Sequence, residues 1–395
     1  PSPAEDLVKQ ASFYIGFYYN GASKVPYWRE LQKNMLADVQ KACAGAANCG
    51  YDVGRKVIAD YLKTINDPFT RLVSPEEAET QDRYVEGKGP STPTIGIQAR
   101  ELPGQGLVVL EAFPGEPAFN ADISRGSLIR SINGTTATLA ALNAAERAGK
   151  EIALEYSVGG TNKTATVKPV LVEDPRAPYR SAVGKALMIR IPHLYGSIGS
   201  RVHANVSRAA RDNAAGVIID LRDAFSGFDS EALLAAGAFI KEGGFIYDQR
   251  FQGQDSTYRL VNNGAAVSEQ DESADKAQTV VQATNPVQYN GKVVILVNEF
   301  TENSSEMLAY FLQRVGRAQV VGTATAGQLG VSGSTVGQLI NDDFIQVSYL
   351  RMLNLDRSPF PMNLTPDVVV PEDLAALAAG RDVQLEKALE LLGAR

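Results

Sequence analysis

The side chains that usually carry acid–base and metal chemistry are scarce in this chain. It has two histidines, His193 and His203, and two cysteines, Cys43 and Cys49. With five residues between the cysteines and no histidine nearby, a metal site lacks ligands, and neither metal nor cofactor is expected. No lysine occurs between Lys292 and Lys387, so a lysine base cannot come from that stretch. Basic residues are scattered and the net charge is −7, which argues against a nucleic-acid surface. Long apolar runs are absent too: Gly216 to Asp220 and Val293 to Val297 are strand-sized, far short of a membrane span. The chain opens at Pro1-Ser2-Pro3 without methionine, as processed proteins and trimmed products do.

What is present is a large apolar fraction, 44% of 395 residues, enough for two or three domains. Glu5 to Tyr19, Trp28 to Ala42 and Asp52 to Ile65 carry apolar residues at helical spacing, and Asp67-Pro68 ends the last of them. Ala44 to Asn48 is loop-like, so Cys43 and Cys49 can close a short disulfide between two helices, with free thiols as the alternative. A disulfide would place the protein in an oxidising, extracytoplasmic setting. Glu86 to Pro93 reads as a linker. Strand-like runs at Leu107 to Phe113, Ser127 to Ile132, Glu151 to Val158 and Thr164 to Val172 alternate with the turns Asn133-Gly134 and Gly159-Gly160, predicting a small β-rich unit. Residues 172–395 read as α/β, with buried strands at 216–220 and 293–297, a helix at Ser230 to Lys241, and a polar surface excursion over 251–285.

The chemistry is suggested by Val293 to Glu306, an apolar strand, a polar turn and a helix start. Backbone N–H groups at such a helix start can stabilise an oxyanion. This run, with Arg317-Ala318-Gln319-Val320-Val321-Gly322 and Thr325-Ala326-Gly327-Gln328-Leu329-Gly330, resembles the C-terminal (tail-specific) processing peptidases of serine peptidase family S41. Those enzymes read roughly V-N-x-x-S-A-S-A-S-E-I and R-A-x-x-V-G-x-x-T-F-G-K-G, with serine as nucleophile and lysine as general base. Anchored on Glu306, the family serine falls on Asn303; anchored on Gly327 and Gly330, the lysine falls on Gln328. An amide neither titrates near neutral pH nor offers a nucleophilic lone pair, so the resemblance implies loss of the serine–lysine mechanism.

Further segments carry the likeness. Asp67-Pro68-Phe69-Thr70-Arg71-Leu72-Val73-Ser74-Pro75-Glu76-Glu77 resembles the family's D-P-H-S-x-Y-L-x-P-E-E. Thr94-Ile95-Gly96-Ile97, Gly115-Glu116-Pro117-Ala118 and Arg125 to Gly134 look like the PDZ domain these peptidases carry, which implies a tail-binding loop at Ile95, Gly96 and Ile97. Asp220-Leu221-Arg222 matches the family's D-L-R, but Asp223-Ala224-Phe225-Ser226-Gly227 has lost a proline and a glycine from the oxyanion turn, leaving Ser226 and Gly227 there. Ser332 stands at a family glutamine, and Arg351 and Thr365 to Val370 complete the match.

The expected organisation is therefore an N-terminal helical region over 1–93, a PDZ-like domain over 94–171 and an S41-type (ClpP/crotonase-like) α/β core over 172–395. Three readings follow. The leading one is an extracytoplasmic homologue, its signal peptide removed, that engages polypeptide C-termini or unfolded tails without hydrolysing them. A second is a working peptidase whose nucleophile has moved to Ser304 or Ser305, helped by His193 or Glu306; helix-start serines are, however, ordinarily caps or surface residues. His193 at a strand end is expected to be a surface or packing residue, and His203 weaker still as a catalyst. The third is a structural partner in a homo-oligomer with an unused groove. Asn303-Ser304-Ser305 also spells an N-glycosylation acceptor.

Overall fold

The computed structural model describes residues 1–45, 48–174, 176–249 and 255–395. Ala46 and Ala47 of the expected cysteine loop, and 251–254 of the expected polar excursion, lie outside the described residues.

Three helices open the chain: α1 (Pro3–Tyr18), α2 (Trp28–Ala42) and α3 (Tyr51–Thr64). Ser2 caps α1 and Glu5 reaches back to the Ser2 N–H at 2.7 Å, so the helix start is satisfied reciprocally. Cys43 and Cys49 are disulfide-bonded, with Cα atoms 5.6 Å apart, and tie the end of α2 to the start of α3. Leu7, Ile15, Leu31, Met35 and Ile58 bury against one another and against Leu339, Ile345 and Val347, so the helices share their core with the C-terminal half. β1 (Arg71–Val73) and α4 (Pro75–Val85, capped by Ser74) follow.

The β-rich unit holds β2 (Ile97–Leu102), β3 (Gly106–Ala112), α5 (Pro117–Asn120), β4 (Leu128–Ile132), β5 (Thr135–Thr136), α6 (Leu139–Ala148), β6 (Ile152–Val158) and β7 (Thr161–Val167). Its strands run in the order β2-β3-β4-β6-β7, and a Thr94–Val170 bridge closes it. The last strand starts earlier than expected, because Gly159 and Gly160, both at positive φ, turn the chain in two residues. β2 and α6 went unforeseen. β2 is a polar edge strand without alternation, whereas Thr138 and Gly149 do supply the two caps of α6.

Two sheets make the α/β core. The first, ordered β19-β16-β15-β10-β9-β8, contains β8 (Tyr179–Val183), β9 (Ala186–Arg190), β10 (Val217–Asp220), β15 (Val293–Val297), β16 (Gln319–Gly322) and β19 (Val368–Val369). β9, β10, β15, β16 and β19 are parallel. Every residue of β10 and β15 is buried, which their unbroken apolar runs require. Helices α7 (Ile198–Arg211), α8 (Asp229–Ala236) and α9 (Ser304–Arg314) make crossovers, and α10 (Leu374–Ala378) and α11 (Val383–Leu392) close the chain. α8 ends five residues before the predicted Lys241, its C-cap falling on Gly237.

The second sheet corrects the expected surface excursion. β11 (Gly244–Gln249), β12 (Ser256–Val261), β13 (Ala266–Asp271), β14 (Gln278–Gln282), β17 (Val331–Gln338) and β18 (Phe344–Leu353) join β1 in the order β1-β18-β11-β12-β13-β14, with β17 on β18. Leu260 and Val267 bury one face of β12 and β13 in the main core, which holds as sheet a segment whose other face is polar.

Candidate functional site

The strand–turn–helix run folds as its pattern predicts. β15 ends at Val297, Thr301 Oγ1 donates to Leu221 O at 2.8 Å, and α9 begins after Asn303. Asn303 sits at φ 43°, ψ −109°, a conformation that turns a side chain out of a strand and over a helix start. Its amide Nδ2 donates to Gln328 O at 3.0 Å and Val331 O at 2.8 Å, while Oδ1 accepts from Ser226 Oγ at 3.2 Å. Asn303 is thus a bracket between three segments. It is only 4% exposed, so the glycosylation reading fails: no glycan can reach a buried, fully engaged amide.

Glu306 organises the loop opposite. Its buried carboxylate accepts from the N–H groups of Asn303 (2.8 Å), Gly327 (3.1 Å) and Gln328 (2.9 Å), and from the Thr325 hydroxyl. Burial pushes this carboxyl up to about 7 against those donors. It is a fastening for the 325–328 loop, which presents Gln328 to the cleft. Gln328 as a residue is 7% exposed, and its side-chain amide, open to the cleft, has no hydrogen-bond partner among the described residues.

Neither alternative serine is a surface residue, and neither lines the cleft. Ser305 Oγ donates to Phe225 O at 2.8 Å. Ser304 Oγ lies 2.9 Å from Gly227 O and 2.7 Å from Asp229 Oδ1. Asp229 also receives Tyr247 OH at 2.6 Å and Ser332 Oγ at 3.0 Å on Oδ2, and burial raises its carboxyl above the usual range. Asp229 and Tyr247 went unnoticed in the sequence; the only signal was an acid in the first turn after the D-L-R run.

The turn over 223–227 is held from both sides. Leu194 N donates to Ser226 O and Phe228 N to Leu194 O, both at 3.1 Å, leaving the Ser226 and Gly227 N–H groups without a partner among the described residues. Glycine is required at 227, because a Cβ there would stand 2.2 Å from the Leu194 carbonyl carbon. Asp223 is bound by Asn298 and by Arg100 of β2, so the β-rich unit touches the turn directly.

These elements line a cleft of about 740 Å³. Asn303, Gln328, Ser226, Gly227, Asp229 and Ser332 form its floor, with Phe69, Tyr84, Tyr195, Phe228 and Tyr349 among its walls. Phe69 comes from the Asp67-Pro68 segment, which is remote in sequence but packs against the Gly327 turn.

His193 is not in that cleft, nor on the surface: it is fully buried between Tyr84 and Phe225, accepting from Tyr195 N at Nδ1. Burial, reinforced by Arg176, Arg201 and Arg190, lowers it to about 3. An unfolded histidine titrates near 6.5, so the unfolded chain binds more protons between those values and stability falls as pH drops through that window. Between pH 7 and 4.5 the protein is expected to lose about 2–3 kcal/mol more than a His193→Phe variant, measured by urea unfolding; equal losses would refute it. His203 is buried as well, bonded at Nε2 to Leu234 O and at Nδ1 to Val287 N, a packing role.

In the β-rich unit, Ile95, Gly96 and Ile97 stand where β2 begins, and Ile95 N donates to Glu146 Oε1 at 2.8 Å. Among the described residues, no group of three or more His, Cys, Asp or Glu side chains could hold a metal, and no helix is long and apolar enough to cross a membrane.

Residues 185–370 match the profile of Peptidase family S41. The chain is 26% identical over 357 residues to the carboxyl-terminal-processing protease of Synechocystis sp., covering 85% of this chain and 76% of that one. It is 25% identical over 335 residues to carboxyl-terminal-processing peptidase 2, chloroplastic, of Arabidopsis thaliana, covering 80% of this chain but 58% of that one. A putative S41 protease from Bacteroides fragilis shares the fold with a TM-score of 0.56 at 14% identity over 85% of this chain and 89% of that one. The photosystem II D1 C-terminal processing protease does so at 0.50 and 18%, over 100% and 98%. Residues 185–370 thus carry the Peptidase family S41 profile, and the chain is a homologue of carboxyl-terminal-processing peptidases.

Proposed function

We propose that this protein is a non-hydrolysing member of the family that engages polypeptide tails. The observation that carries the reading is Asn303, whose amide spans Gln328 O and Val331 O where a nucleophile would stand. A hydroxyl attacking a carbonyl must pass its proton to a base, and the position facing Asn303 offers a glutamine. The cleft remains roomy and aromatic, which suits an extended peptide, and the unpartnered Gln328 amide can pair with a peptide backbone. A tail would lie along the edge strand β2 with its carboxylate at the loop of Ile95, Gly96 and Ile97. The Cys43–Cys49 disulfide supports an extracytoplasmic location.

A second reading is favoured by one contact, Ser304 Oγ to Asp229 Oδ1 at 2.7 Å, a hydroxyl beside a buried carboxylate. Intact-mass spectrometry of an unstructured polypeptide incubated with the protein, and with Ser304→Ala and Ser305→Ala variants, separates the two. The expected result is uncleaved substrate throughout. Cleavage by the parent that one substitution abolishes would overturn the proposal in favour of a relocated nucleophile.

A further inference from the structure

The loop that would receive a tail carboxylate already holds a carboxylate of its own chain. Glu146, in the last turn of α6, places Oε1 2.8 Å from Ile95 N and 2.8 Å from Thr94 Oγ1. Thr94 Oγ1 in turn accepts from Gly96 N at 2.9 Å. The Ile95 and Gly96 N–H groups are therefore engaged, one by Glu146 directly and one through the hydroxyl that donates to it. This is how a turn of exposed N–H groups receives an anion, except that the anion is internal.

The surroundings are already saturated. Glu116 stands against the loop, its Oε2 2.5 Å from where a Cβ on Gly96 would lie, so only glycine lets the chain pass beneath it. Arg176 grips Glu116 with two bonds, 2.8 and 3.0 Å, and stacks 3.7 Å over Phe113. Arg147 is paired with Glu76 at 2.7 Å. A depression of about 260 Å³ opens beside the loop, lined by Thr94, Ile97, Asn143, Glu146, Arg147 and Arg176. An arriving carboxylate thus finds space, but it meets the carboxylates of Glu146, Glu116 and Glu76, and the Arg147 and Arg176 guanidinia there are already engaged.

We propose that Glu146 is a resident competitor for the tail-binding loop, so that a polypeptide C-terminus binds only when Glu146 has rotated out. This deepens the tail-binding reading above and rests on it. The cost is that of a minor binding-competent state: apparent affinity falls by the fraction of molecules in which the loop is open. If about one molecule in ten is open, removing Glu146 tightens tail binding about tenfold. An amidated tail lacks the charge that the loop N–H groups receive, so it binds the loop weakly whether or not Glu146 is there.

The test is fluorescence anisotropy on the full chain with an unstructured, labelled peptide ending in alanine, as the free acid and as the amide. Glu146→Ala is expected to bind the free acid about tenfold tighter than the parent, with no gain for the amide. Glu146→Gln, which keeps the volume and an acceptor oxygen but not the charge, is expected to show a smaller gain in the same direction; it also guards against misfolding of the alanine variant. Equal affinity of all three proteins for the free acid, with the same preference over the amide, would leave tail binding standing and remove the competitor. Failure of every protein to distinguish acid from amide would remove tail recognition at this loop, and the competitor with it.

Discussion

Replacing Arg222 by methionine is expected to cost about 3–5 kcal/mol of folding stability, the largest effect of any single substitution considered for this protein. The guanidinium is 1% exposed and grips Asp220 through Nε at 2.9 Å and Nη2 at 2.6 Å. It reaches Asp382 at 2.9 and 3.0 Å and Gln384 at 3.1 Å. Arg125, from the β-rich unit, binds the same Asp382 at 2.7 Å, and Asp382 also caps α11. One cation therefore joins the end of β10, the C-terminal helix and the inserted unit. Methionine fills much of the volume but leaves Asp220 buried without its guanidinium, and Asp382 with Arg125 alone.

The pH dependence has a definite sign. Burial opposes ionisation of both carboxyls, but Arg222 foremost holds Asp220 below and Asp382 well below the usual carboxylate range. Groups with depressed values stabilise the fold fully above the unfolded value of about 3.9, and that contribution is lost progressively as pH falls from there through the lower folded values. The gap between parent and Arg222→Met in urea midpoint should thus be full at pH 7 and narrow below about pH 4. A gap that stays constant with pH would mean that packing, not charge, makes the difference.

Asn303→Ser is expected to lose about 2–3 kcal/mol while gaining no peptidase activity. The Gln328 and Val331 carbonyls lose their shared donor, each bond being worth about 1 kcal/mol, and serine tolerates φ 43° less well than asparagine does. Asn303→Gly loses the same bonds without the backbone strain, so it should unfold at a higher denaturant concentration than the serine variant. The restored hydroxyl would face Gln328, which cannot accept its proton. Turnover by Asn303→Ser on the same polypeptide, seen by intact mass, would show that another group serves as base.

The elements legible in the sequence are those whose pattern is local. Val293 to Val297 is apolar on both faces and can only be a buried strand; Trp28 to Ala42 repeats its apolar residues at helical spacing; Asp67-Pro68 stops a helix wherever it occurs. The proposed replacements at 303 and 328 come from the sequence for a different reason, since aligning Glu306 and the Gly327–Gly330 pair by motif needs no structure. β2 failed because an edge strand need not alternate. The strands over 256–282 failed because only one of their faces is covered, and by residues near 232–239 that the local pattern does not mention.

By itself, then, the sequence determined the order of helices, β-rich unit and α/β core, the family resemblance, and the motif reading that sets Asn303 and Gln328 at the family's serine and lysine positions. Tertiary structure alone decided what those residues do instead. It made Asn303 a bracket between the Gln328 and Val331 carbonyls, buried His193 away from the cleft, set Asp229 against Ser304 from 75 residues away, and put Glu146 in the loop of Ile95 and Gly96. Hydrophobic periodicity and turn chemistry act over a few residues and survive in any context. A hydrogen bond between distant segments exists only once packing has brought donor and acceptor within about 3 Å, and no local pattern encodes that approach.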